Sequence, residues 1–113
     1  MEDCIFCKII RGEIPSSKVY EDEQVFAFRD IQPQAPVHVL VIPKKHISSM
    51  DRVDEAADSD LAACLRGIRK VAELEGLSDG YRVVSNCGKH ACQSVPHLHF
   101  HVMGGRQMAE KMV

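Results

Sequence analysis

No apolar stretch in the 113 residues reaches the roughly 20 positions that a bilayer-spanning helix needs, so an integral membrane protein is not expected. Charge of neither sign predominates. Fourteen Lys and Arg against 16 Asp and Glu leave a net −2, which supplies no basic field for bulk nucleic-acid binding. No secretory leader is expected either: MEDCIFCKII is acidic where a leader is basic, and no small-residue cleavage site follows. Five cysteines make an odd number without framework spacing, which argues against a disulfide scaffold and for reduced thiols in the cytoplasm. Repeats and low-complexity segments are absent. What remains, 45% hydrophobic and 27% charged, is the balance of an ordinary globular protein, with length for one domain over residues 1–113 and too little for two.

Local patterns divide the chain into strands around one long helix. RGEIPSS reads as a turn, broken by Gly12 and Pro15. KVYEDEQVFAFRD reads as two short strands, Lys18–Glu21 and Gln24–Arg29, with the acidic residues Glu21, Asp22 and Glu23 at the hairpin. PVHVLVIP is a third strand between Pro36 and Pro43, GYRVVSN a fourth and HLHFHVM a fifth. Between Asp51 and Leu77 the rhythm becomes helical: Leu61, Cys64, Leu65, Ile68, Val71 and Ala72 form one stripe, Asp58 to Asp60 suit its start, and Gly76 or Gly80 ends it. Cys64 on that stripe is expected in the core. This arrangement predicts an α+β domain: a mainly antiparallel five-stranded sheet with one long helix packed on it.

The segment SVPHLHFHVMGG carries histidines at positions 97, 99 and 101. Side chains alternate along a strand, so the three imidazoles share one face and Leu98, Phe100 and Val102 share the other, where they enter a core. Neutral imidazole serves either as a metal ligand or as a nucleophile with helpers, because its pKa lies near working pH. The preceding NCGKHACQS supplies Asn86, Gln93 and Ser94, neutral groups suited to phosphate oxygens, where a plain metal hydrolase would bring carboxylates. His38, among apolar residues of the third strand, reads as a structural hydrogen-bonder, and His90 as an exposed loop residue. Near the N-terminus CIFC places Cys4 and Cys7 at ligand spacing, which by itself fits a redox pair, two buried small residues or half of a zinc site. The strand that a thioredoxin-like redox unit requires before it is missing.

The pattern His-x-His-x-His with apolar x, together with IFCKIIRGEIP, VFAFRDIQPQAPVHVLVIPKKHI, GYRVVSN and QSVPHLHFHVMGGRQM, resembles the histidine triad family, Hint branch, over nearly the whole chain. The resemblance implies a homodimer that binds purine nucleotides and hydrolyses nucleoside phosphoramidates at the α-phosphorus. It implies His99 as the nucleophile that forms a nucleotidyl-histidine intermediate, and His101 as a hydrogen-bonder to phosphate or leaving group. The backbone carbonyl of His97 would fix the ring of His99, and His46 would pack beside the triplet. It places Asn86, Gln93 and Ser94 on the phosphate, Asp30 on the ribose hydroxyls, and Ile5, Phe6, Ile9, Phe28 and Ile31 around the base. Some bacterial relatives complete the Cys-x-x-Cys knuckle into a closed structural zinc site, which by position would use Cys4, Cys7, His46 and His97 here. The chain departs from animal Hint proteins at Arg29 (His there), Cys92 (Gly) and Pro96 (an aromatic residue), and its tail lacks their Trp, which suggests a bacterial-type member. Three other readings stand beside the phosphoramidase: a dinucleoside polyphosphate hydrolase, a nucleotide-binding regulator with incidental turnover, and a zinc hydrolase that uses the triplet as ligands.

Overall fold

The computed structural model describes residues 3–112. A short helix, α1 (Ile5–Ile10), precedes strands β1 (Lys18–Glu21), β2 (Val25–Arg29) and β3 (Val37–Pro43); then come the long helix α2 (Asp58–Leu74), β4 (Tyr81–Val84) and β5 (Phe100–Gly104). Short 3-10 helices occupy Met50–Glu55 and Lys89–Ala91. The strands form one sheet in the order β1-β2-β3-β5-β4, antiparallel at every pairing. The predicted α+β architecture and the start of the long helix at Asp58 are therefore as expected.

Parity along the strands decides what each face of the sheet holds. Val25 and Ala27, Val39 and Val41, and Phe100 and Val102 turn one way and pack with Ala63, Cys64, Ile68, Val71 and Ala72 of α2. Cys64 lies fully inside, and burial pushes its thiol up to about 12, so it stays protonated. Gly67 lets α2 approach closely: a Cβ there would meet Val25 Cγ2 at 3.2 Å. The alternate residues Phe26, Phe28, Leu40 and Ile42 turn the other way and pack with Cys4, Phe6, Cys7 and Ile9. His99 and His101 have this second parity, so the histidine face is the face that α1 covers.

One element is not foreseen in the sequence and one boundary is corrected. The N-terminal knuckle, to which the sequence pattern assigns no element, lies on and before α1, whose backbone begins with Cys4 Sγ accepting from Cys7 N–H at 3.4 Å. Six residues are too few for a readable period, and a helix this short has little stability of its own; packing against the sheet holds it. The fifth strand begins at Phe100 rather than His97. Pro96 has no N–H to donate, and the amides of His97 and Leu98 bond Val95 O (2.8 Å) and Ile47 O (2.6 Å) instead of a neighbouring strand. Only His101 of the triplet lies within the regular ladder, opposite Leu40.

Candidate functional site

The protons of the triplet histidines and of His38 can be assigned from the groups their rings face. A carbonyl oxygen only accepts, so the 2.7 Å contact between His99 Nδ1 and His97 O requires a proton on Nδ1. Neutral His99 then carries its lone pair on Nε2, the nitrogen a nucleophile needs. Nε2 has no protein partner among the described residues. Since no buried side-chain nitrogen or oxygen is left unpaired there, this atom opens to the surface although the residue as a whole is only 4% exposed. The ring is held edge-on by Phe6, with centroids 5.2 Å apart, and by His101, also at 5.2 Å. Ser85 Oγ donates to the carbonyl of His99 at 2.8 Å and fixes the backbone between β4 and β5.

His101 belongs to a directional chain. The backbone N–H of Gln34 donates to His38 Nδ1 at 2.9 Å, so neutral His38 bears its proton on Nε2. That Nε2–H donates to His101 Nδ1 at 2.8 Å, which leaves the His101 proton on its own Nε2. A donor is thus prepared on the ring adjacent to His99. Burial, reinforced by the nearby imidazoles of His99 and His38, depresses the His101 pKa to about 4 and keeps the ring neutral. Burial lowers the His38 pKa as well, against the pull of Asp30. Asp30 sits at this end: Oδ1 accepts from Gln32 N–H at 2.8 Å, and Oδ2 lies 3.4 Å from His38 Nε2 and 3.9 Å from His101 Nδ1.

Cys4, Cys7, His46 and His97 bring one ligand atom each to a common point. His97 Nδ1 stands 3.3 Å from Cys4 Sγ and 3.6 Å from Cys7 Sγ, and His46 Nδ1 stands 3.4 Å from Cys7 Sγ. Ligands of a tetrahedral ion with ordinary zinc–sulfur and zinc–nitrogen bonds lie about 3.6 Å apart, so the set fits with little adjustment. His97 is also turned correctly, because its Nε2 faces Pro43 O at 2.8 Å and must be the protonated nitrogen, leaving Nδ1 bare for a metal. Burial drives the His97 pKa down to about 4. Asp30, His38 and His101 also converge within ligand range. There His38 Nδ1 faces a backbone donor, so its Nε2 is the protonated nitrogen and no metal lone pair is available without breaking the Gln34 bond. The first group is built as a metal site and the second as a proton chain.

The remaining predicted residues divide. Phe6, Ile9 and Phe28 are buried in one cluster under α1, with Phe6 edge-on to Phe28 at 5.4 Å. Ile5 is 46% exposed and Ile31 95% exposed. Ser94 is exposed at the end of the loop before the triplet. Asn86 Nδ2 donates to Ala91 O at 2.9 Å. Gln93 donates to Ser48 O at 2.8 Å and Val95 O at 3.0 Å and accepts from Gly88 N–H at 2.9 Å, so both its polar ends brace the loop. Cys92 holds a left-handed backbone, φ 61°, at the turn where Gly would be unstrained. His46 packs against His97, rings 4.9 Å apart, on the metal side; the histidine beside His101 is His38. Sequence reasoning gave His38 a structural role and brought it near the triplet only through the expected pairing of its strand with the fifth; its bond to His101 was not foreseen. The signal available was its parity with Leu40, which pairs opposite His101. A largely apolar pocket of about 390 Å³ opens between the metal cluster and the loop, lined by residues including Ile5, His46, Ser94 and Pro96. A larger concavity of about 600 Å³ at Lys18–Glu23 and Lys44 has no histidine in its lining.

Residues 11–108 match the HIT domain family. The chain is 54% identical over 106 residues to the 14 kDa zinc-binding protein of Zea mays, covering 92% of this chain and 83% of that one. The 14 kDa zinc-binding protein of Brassica juncea is 50% identical over 108 residues, covering 94% and 96%. Among solved structures, a HIT family hydrolase from Clostridium thermocellum superposes with a TM-score of 0.95 at 47% identity, covering 100% of this chain and 99% of that one. A histidine triad nucleotide-binding protein from Candida albicans gives 0.82 at 37% identity, covering 98% and 87%.

Proposed function

This chain belongs to the HIT domain family, and from that premise we propose that it is a purine nucleoside phosphoramidase of the Hint branch. The carrying observation is the tautomer of His99: Nδ1–H is tied to His97 O, so the bare Nε2 is presented at the surface beside a ring that holds a proton on its own Nε2. His99 Nε2 attacks the α-phosphorus of a nucleoside 5′-phosphoramidate. A bond from nitrogen to phosphorus forms as the bond to the leaving amine breaks, and His101 Nε2–H gives the departing nitrogen its proton. Water then attacks the nucleotidyl-histidine, His101 recovers a proton from it, and His99 leaves as the nucleoside monophosphate forms. Dividing one displacement into two lowers each barrier. Asp30 holds the ribose hydroxyls, and Ile5, Phe6, Ile9, Phe28 and Ile31 surround the base. Ser94 and the loop braced by Asn86 and Gln93 receive the phosphate oxygens.

The knuckle with His46 and His97 takes one zinc ion. Four protein ligands close the site, so the ion supplies structure and no reactive water. All five cysteines are unpaired, as a reduced cytoplasmic setting requires, and no described helix is long and apolar enough to cross a membrane. A homodimer forms the working unit; the edge strand β4, with Tyr81 and Val83 exposed, leaves an unpaired ladder for a second copy. The test is His99→Ala assayed on adenosine 5′-phosphoramidate. Turnover should vanish while AMP binding persists, and acid-quench trapping of the wild type should place the label on His99. Normal turnover in the variant, or label on another histidine, refutes the assignment.

A further inference from the structure

The metal cluster and the nucleotide slot share one short element. Phe6 lies between Cys4 and Cys7 in sequence, and both thiols turn toward His97 while the Phe6 ring turns to Phe28 and His99. We propose that Cys4 and Cys7 are positioning residues of the nucleotide slot: by holding a metal with His46 and His97 they fix Phe6, so metal affinity and nucleotide affinity are thermodynamically coupled. This rests on the proposed nucleotide-binding reading and adds a regulation of that site.

The geometry carries the argument. A six-residue helix does not hold itself. Its internal bonds are few, and its N-cap is a thiol that accepts a weak hydrogen bond from Cys7 N–H. Two ligands three residues apart, tied to one ion, leave the backbone between them almost no freedom, and Phe6 is on that backbone. The ring of Phe6 touches the nucleophile's ring and forms part of the floor on which a base would rest. A nucleotide that presses on Phe6 therefore binds better when α1 is already fixed, and linkage requires that the same nucleotide tighten the metal by the same factor.

The experiment uses zinc-loaded protein titrated with a chromophoric chelator, with and without saturating AMP. AMP should raise zinc affinity by roughly fivefold or more, the lower end of ordinary coupling between sites, and stripped protein should bind AMP more weakly by the same factor. Equal zinc affinity in both conditions overturns the proposal. Hydrogen exchange separates a local effect from global unfolding. Stripping the metal should expose the amides of Lys8, Arg11, Gly12 and Glu13, which bond within and just after α1, while the amides of the β3–β5 ladder keep their protection. Equal loss in α1 and the ladder would make the metal a staple for the whole fold, and the proposal fails. If loaded protein does not bind AMP at all, the nucleotide reading itself falls and the slot proposal falls with it. Exchange in α1 then still decides, separately, whether the thiols hold Phe6.

Discussion

Mild acid should destabilise this protein well before its carboxylates titrate. Burial lowers the pKa of His97 and of His101 from the ordinary 6.5 to about 4. Between those values the unfolded chain binds protons that the folded chain refuses, so stability is complete above about pH 6.5 and falls as the pH drops toward 4. Taking 6.5 unfolded and 4 folded, each histidine removes about 2 kcal/mol between pH 7 and pH 5. The pair removes roughly 4 kcal/mol, a large part of the ordinary 5–15 kcal/mol of a domain. His38 and His46 are shifted in the same direction by burial and add to the loss. The carboxylates of Glu13, Glu21 and Asp22 lie below their usual range, so their contribution is kept above their unfolded values and is lost only at lower pH. The assay is urea unfolding of metal-stripped protein at pH 7, 6 and 5, so that acid release of a metal is not measured by mistake. At about 1–3 kcal/mol/M, the midpoint should fall by more than 1 M. His101→Gln, which removes one of the two most strongly shifted rings, should flatten the slope by somewhat less than half, since His38 and His46 also contribute. A midpoint that stays level from pH 7 to 5, or a variant with the parent slope, would refute the claim that these rings are held neutral by the fold.

Three further outcomes test the site. Asp30→Asn should weaken AMP more than its 2′-deoxy analogue, by roughly 1.5–3 kcal/mol, because a charged acceptor on a hydroxyl is lost; equal losses measured by calorimetry would remove Asp30 from the sugar. Cys4→Ser combined with Cys7→Ser should abolish zinc binding and lower the melting temperature, against roughly one zinc per chain in the parent by elemental analysis. Parent protein with far less zinc and an unchanged melting point in the variant would leave two buried thiols. His38→Phe should slow turnover of substrates with strongly basic leaving amines by about 100-fold, within the range of general-acid effects, and affect weakly basic leaving groups much less; equal slowing of both would show that His38 does not set the donor on His101.

The sequence alone determined what depends on short-range order. Short, nearly continuous apolar runs bounded by turn residues define β2 and β3, a 3.6-residue stripe defines α2, and the one-sided spacing of His99 and His101 follows from strand geometry wherever the backbone is extended. The triad motif, with the blocks around it, carried the family and with it the expected nucleophile. Tertiary structure decided everything that depends on which segments meet. Six residues of α1 have no readable period, because packing of Phe6, Cys7 and Ile9 stabilises them rather than helical propensity. His38 joins His101 only because β3 and β5 pair in the register that sets Leu40 opposite His101. The proton on each ring was likewise invisible, since it is fixed by acceptors and donors remote in sequence: Pro43 O for His97 and the His38 Nε2–H for His101. A single sequence records residue types and their spacing. The direction of a hydrogen bond between rings 63 positions apart exists only once the chain has folded.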